Sequence, residues 1–204
     1  MVIGDYMTKK KILLDIDEVV CFSGFLQVLN RFLNANYHID QFTTYYLEEE
    51  VLTDDQKPKF MEYLSTQNLY EVPDFLPGAI ETLERLNEHF DIYVCSSCVN
   101  PEDLNSSGRI FQDKYNFLIK YLPFLDPRKF IFTSTKNIFK ADIQIDDRIQ
   151  NLDSDIETKI LFPSYHNKNI TDEELREKGI LRAGTEWRNA WEEAEKILMS
   201  LLEK

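Results

Sequence analysis

Two rhythms of apolar and polar positions run along this chain. The first is a set of short runs with no polar face: KILLDI at 11–16, DIYVCSS at 91–97, KFIFTS at 129–134, ADIQID at 141–146 and TKILFP at 158–163. Such runs suit strands buried on both sides, as in a parallel sheet covered by helices. The second rhythm is helical. PGAIETLERLNEHF, 77–90, places Ile80, Leu83 and Leu86 on one face. GRIFQDKYNFLIKYL, 108–122, spaces Ile110, Phe111, Phe117, Leu118 and Leu122 in the same way. The C-terminal stretch from Thr185 predicts a helix with Trp187, Trp191, Ala194, Ile197 and Leu201 as its buried stripe. Strand and helix alternate, which predicts an α/β fold: a Rossmann-like, doubly wound parallel sheet.

One segment breaks the alternation. From Phe22 to about Asp74 no good strand pattern is found. SGFLQVLNRFLNAN reads as helix, and so does TDDQKPKFMEYLSTQNLY, with Thr53 as its N-cap. EVPDFLPG, 71–78, is a turn-rich return. The expected organisation is an α/β core over 8–21 and 75–204, with a small helical cap, 22–74, inserted after the first strand. The first six residues are expected to lie outside the fold, with Met7 as an alternative start.

Composition narrows the partners. At 204 residues, 43% hydrophobic and 13% aromatic, the chain can bury a real core. A formal charge of −13 disfavours a nucleic-acid polymer, whose binding needs clustered Lys and Arg. A small anionic substrate stays open, because a bound metal reverses the local field. No apolar run approaches the ~20 residues that span a bilayer, so no membrane partner is expected. The N-terminus has no apolar h-region of a secretory signal. Three cysteines point to a reducing compartment, and the expectation is a soluble cytoplasmic protein.

The chemistry lies where the strands end. In an open parallel sheet, ligands bind outside the carboxyl ends of the strands. Those ends deliver Asp15 and Asp17, then Ser96 and Ser97, then Ser134, Thr135 and Lys136, then Asp146 and Asp147. Carboxylates beside buried strands are costly to desolvate, so their concentration on one rim calls for a use. Phosphoryl transfer from a monoester wants this set. Carboxylates hold Mg²⁺, one of them can attack phosphorus, and a second can serve the leaving alkoxide and then water. Hydroxyls and an ammonium bind the equatorial oxygens.

DIDEVV, VCSS, Lys136 and ADIQIDD, in that order, resemble the four motifs of the haloacid dehalogenase-like (HAD) superfamily of phosphohydrolases. LPGAIETLERL, VCSS, FQDKYNFLIKYLP and FTSTKNIFKADIQIDD are similar to the 5'(3')-deoxyribonucleotidases, a branch with a helical cap after the first strand. That resemblance implies a Mg²⁺-dependent phosphomonoesterase acting through an aspartyl-phosphate, with a nucleoside monophosphate as its small-molecule partner. It makes Asp15 the nucleophile and Asp17 the general acid/base. Ser96 matches the phosphate-gripping hydroxyl, Ser97 a neighbouring substrate contact, Lys136 the motif-three lysine and Lys114 a further phosphate-side lysine. Asp146 matches the metal ligand with Asp147 supporting it. The metal also takes the Asp15 carboxylate and the Asp17 backbone carbonyl. Members of the family are often dimers, so the resemblance extends to a homodimer.

The chain departs from the family pattern at four places. Glu18 stands where glycine is usual, Ser96 replaces Thr, Ser134 replaces an arginine, and Ser23 stands in place of a base-stacking aromatic. Phe42, Tyr45 and Tyr46 are the candidates for stacking on a base, against the competing reading that they pack the cap itself. A phosphatase of another small ester, such as a sugar phosphate, is the rival within enzymes; a phosphate-binding module without turnover is the rival outside them. Cys95 and Cys98 are read as unpaired thiols, and His38, His89 and His166 show no zinc spacing. SYHNKN, 164–169, is expected to be a surface loop, and Glu48–Glu50 a solvated face.

Overall fold

The computed structural model describes residues 9–99 and 104–202. The expected start of the chain, Met1 to Met7, lies outside the described residues. All five strand patterns form strands: β1 (Lys11–Leu14), β4 (Asp91–Ser96), β5 (Phe130–Phe132), β6 (Ile143–Asp146) and β7 (Thr158–Leu161). They join a sixth, β8 (Ile180–Arg182), in one sheet of order β5-β4-β1-β6-β7-β8, parallel throughout. Counted along the chain within this sheet, that is the doubly wound order 3-2-1-4-5-6. The order reverses between β1 and β6, so the crevice that such sheets use for ligands opens where Asp15 and Asp146 end their strands.

Alternation along β1 shows why the runs are apolar on both faces. Ile12 and Leu14 join the main core with Val94, Ile143 and Ile145, while Leu13 faces the other way into a cluster with Cys95 and Ile156. Helix α4 (Ala79–Asn87) buries Ala79, Leu83 and Leu86, with Ile80 half-buried. Helix α5 (Leu104–Tyr121) buries Phe117 and Leu118. The C-terminal helix is shorter than expected, Ala190–Ser200, preceded by a 3-10 turn, Trp187–Asn189. Leu198 takes the core position while Ile197 is half-buried. Trp191 is fully buried, and its indole N–H donates to the Val19 carbonyl at 2.8 Å.

The segment after β1 is not strandless. Two short strands, β2 (Cys21–Phe22) and β3 (Asp74–Phe75), pair antiparallel and form a neck at the base of the inserted helices. Two residues per strand leave too little periodicity to read from sequence. Between them lie α1 (Phe25–Leu33), α2 (Leu47–Val51) and α3 (Lys57–Ser65). Thr53 does not cap α3, which starts at Lys57 after Gln56. Residues 54–56 instead make a turn closed by Gln56 N–H to Thr53 O at 2.9 Å, and Pro58 sits in the first helical turn, where no N–H is needed. Glu49 and Glu50 are exposed on α2 as expected, with Glu49 paired to Lys57, while Glu48 is half-buried. Among the described residues no helix is long and apolar enough to cross a membrane.

Candidate active site

Each strand end on one rim of the sheet presents a polar side chain. Asp15 follows β1, and its backbone N–H donates to Ile145 O of β6 at 3.0 Å, which holds it against the reversal point. Asp146 closes β6, with Asp147 next. One oxygen from each of Asp15, Asp146 and Asp147 lies within 4.8 Å of the others, and all three residues are buried. Lys136, 5% exposed in a 3-10 turn after β5, reaches between two of them: Nζ is 2.7 Å from Asp15 and 2.6 Å from Asp146. Asp146 is fixed further by Asn151 Nδ2 at 2.8 Å and the Arg148 N–H at 3.0 Å.

A second cluster stands beside the first. Lys114 of α5 is completely buried and donates to Asp17 Oδ2 at 2.6 Å, Ser96 Oγ at 2.9 Å and Ser97 O at 2.6 Å. Asp17 Oδ1 accepts from the Tyr70 hydroxyl at 2.7 Å. Ser97 and Ser134 hydroxyls lie 2.7 Å apart. The Asp17 carboxylate is therefore turned toward Lys114 and lies outside the three-carboxylate cluster. Only its backbone is left for the ligand role that the family resemblance assigned.

The charges do not balance. Five carboxyl groups, Asp15, Asp17, Glu18, Asp146 and Asp147, converge on two buried ammonium groups, Lys114 and Lys136. Burial alone would raise Asp15, but Lys136 and Lys114 outweigh it and hold its carboxyl below the usual range. Asp146 goes the other way: burial, then the charge of Asp15, pushes it up to about 7. Burial also raises Asp147, against the pull of His166. Burial opposes charge on Lys136, yet the carboxylates of Asp15 and Asp146 prevail and keep it protonated. Burial and then Asp147, Asp17 and Asp15 raise Glu18 well above its usual value. An excess of buried hard oxygen ligands at one point fits a divalent cation such as Mg²⁺.

The sequence missed four contributors. His166 is no surface residue: Nε2 lies 2.6 Å from Asp147 Oδ2, with both side chains buried. Its loop follows β7, so the rule that led to Asp15 and Asp146 also points to it. Its neighbour Asn167 is 2% exposed and donates to Asp147 O and Phe162 O, both at 2.8 Å. Tyr70 and Asn151 have no motif of their own. Of the aromatic candidates, Phe42 is 2% exposed and packs on Tyr37, so it offers no open face. Tyr45 stands edge-on to His166 at 5.3 Å, with the Arg148 guanidinium 4.4 Å from its ring centre, which brings the inserted segment over the acidic cluster. Tyr46 is 55% exposed beside it. Among the described residues all three cysteines are free and buried.

Known proteins are similar to this chain. The family described as "5' nucleotidase, deoxy (Pyrimidine), cytosolic type C protein" matches residues 9–199. A Staphylococcus epidermidis protein described as "Putative 5'(3')-deoxyribonucleotidase" is 32% identical over 165 residues, 80% of this chain and 88% of its own. The Bacillus subtilis "5'(3')-deoxyribonucleotidase" is 27% identical over 164 residues, 79% of this chain and 89% of its own. A haloacid dehalogenase-like family hydrolase from Streptococcus pneumoniae superposes with a TM-score of 0.51 at 16% identity, covering 87% of this chain and 95% of that one. The last likeness is one of fold.

Proposed function

Given that this chain belongs to the family of 5'-nucleotidases, deoxy (pyrimidine), cytosolic type C, which are phosphoric monoester hydrolases, we propose that it removes phosphate from nucleoside monophosphates, pyrimidine deoxynucleotides foremost, through an aspartyl-phosphate on Asp15. One observation carries the reading: Lys136 bridges Asp15 and Asp146 at the sheet's reversal point, within a cluster of three buried carboxylates.

Asp15, Asp146 and Asp147 would hold Mg²⁺, with the Asp17 carbonyl beside them. When bound, the ion supplies positive charge that offsets the repulsion between an anionic phosphate and an anionic nucleophile. Asp15, kept ionised by Lys136 and Lys114, attacks phosphorus. As the P–O bond to the leaving group breaks, Asp17 gives its proton to the departing alkoxide. In the second half, Asp17 takes a proton from the water that attacks phosphorus, which restores the proton it gave up; the P–O bond to Asp15 breaks, so phosphate leaves and the Asp15 carboxylate is regenerated in place. Ser96, Ser97, Lys114 and Lys136 line the same rim and serve the equatorial oxygens. Residues 22–74 act as a cap that closes over the substrate and excludes water, with Tyr45 and Tyr46 as its base-facing rings.

A second reading has an observation of its own. A cavity of about 60 Å³ between the neck and the inserted helices sets Glu18, Ser23, Gln27 and Asp74 in a lining otherwise apolar, with Phe22, Phe25, Leu26, Ile39 and Leu47. Those four polar side chains can hydrogen-bond the hydroxyls of a sugar phosphate. Phosphate release from a panel of deoxy- and ribonucleotides, in 5' and 3' forms, and of sugar phosphates decides between them. Preference for deoxynucleotides supports the first reading; turnover of sugar phosphates alone replaces it with the second.

A further inference from the structure

Beyond the β2–β3 pair, the neck of the inserted segment is fastened at a close crossing. Gly24 N–H donates to Leu69 O at 2.7 Å as the outgoing and returning chains cross. A Cβ on Gly24 would stand 2.9 Å from that same oxygen, so the approach depends on glycine. The residue after Leu69 is Tyr70. Its backbone N–H donates to Asn68 Oδ1 at 2.8 Å, and its ring packs on Phe117 at 5.4 Å. The Lys114 ammonium lies 5.3 Å from its ring centre. At 6% exposure the ring has little freedom, and its hydroxyl donates to Asp17 Oδ1 at 2.7 Å.

Asp17 is thus held from two sides. Lys114, on a core helix, takes Oδ2, and Tyr70, on the neck, takes Oδ1. One donor leaves a carboxylate free to turn about its side-chain bonds, whereas two donors on opposite oxygens fix its plane. We propose that Tyr70 is a positioning residue for Asp17: its hydroxyl fixes the acid/base carboxylate, so the neck of the inserted segment sets the orientation from which Asp17 serves the leaving group. The inference rests on the phosphatase reading above. It adds that the inserted segment contributes to proton transfer and does more than cover the substrate.

Tyr70→Phe keeps the ring and removes the hydroxyl. The test compares kcat/KM for two esters, a deoxyribonucleoside monophosphate and p-nitrophenyl phosphate. The alkoxide of the first needs a proton as it leaves; the nitrophenolate of the second does not. Tyr70→Phe is expected to lower kcat/KM about tenfold on the nucleotide and to leave the nitrophenyl ester within about twofold, a part of what general acid catalysis contributes. In an Asp17→Asn background, adding Tyr70→Phe costs nothing further on the nucleotide. Equal losses on both esters, no loss on either, or a further loss in the Asp17→Asn background would each overturn the role. Turnover of neither ester by the wild-type chain overturns the phosphatase reading itself, and this inference with it.

Discussion

His166 Nε2 lies 2.6 Å from Asp147 Oδ2, and it fixes one oxygen of a carboxylate that stands beside two others at the sheet's reversal point. A partner behind a metal-ligating group orients it and tunes its basicity, and losing such a partner costs roughly 10–100-fold in metal affinity. His166→Ala should therefore weaken Mg²⁺ binding by about tenfold or more while the chain stays folded. Calorimetric titration with Mg²⁺ checks it; unchanged affinity would remove His166 from the site.

With Asp146 as a proposed ligand, protons and Mg²⁺ should compete for its carboxylate. Burial and Asp15 push its carboxyl up to about 7, so below that pH a proton must leave before the carboxylate can take a cation. The apparent Mg²⁺ affinity should rise between pH 6 and pH 8, by at most about tenfold per unit, and level off above. Affinity that is flat across this range contradicts the assignment of Asp146 as a ligand.

Lys136 is the cation shared by Asp15 and Asp146, and all three are buried. Lys136→Met leaves two buried carboxylates facing each other, which should cost about 3–5 kcal/mol of stability. Urea denaturation measures the loss. Added Mg²⁺ should recover part of it in the variant, because the ion restores positive charge between the same oxygens; no recovery would separate Lys136 from the metal cluster.

Glu18 holds a left-handed backbone, φ 57°, directly after Asp17. An L side chain pays about 1–2 kcal/mol for that conformation, and glycine does not. Its carboxyl is also raised, by burial and by Asp147, Asp17 and Asp15. A carboxyl whose folded-state pKa exceeds its unfolded value loses stability as pH rises from the ordinary Glu range toward the raised value. Glu18→Gly should raise Tm, and by more at pH 8 than at pH 5; a lower Tm at both would assign Glu18 a contact that holds the fold.

The motifs were legible because strand ends are. Five short apolar runs located five strands, and the ends of the first four located Asp15, Ser96, Lys136 and Asp146 on one rim. His166 follows the same rule after β7, yet a polar loop with no motif gave no reason to prefer the rim over solvent. Tyr70 was out of reach, since its contact with Asp17 spans 53 positions and depends on the crossing at Gly24. Strands β2, β3 and β8 were too short to show a period, and β8 lies at the sheet edge. Phe42 as a base contact was unresolved for a different reason: an aromatic pattern does not distinguish a ring that packs from a ring that binds.

Nucleophilic attack by Asp15 is the centre of this account. The direct test is phosphate release from a pyrimidine deoxyribonucleoside 5'-monophosphate with Mg²⁺, comparing the wild-type chain with Asp15→Asn. The account predicts Mg²⁺-dependent turnover by the wild type, and loss of turnover in a variant that remains folded and still binds the nucleotide. Turnover retained by Asp15→Asn would contradict it.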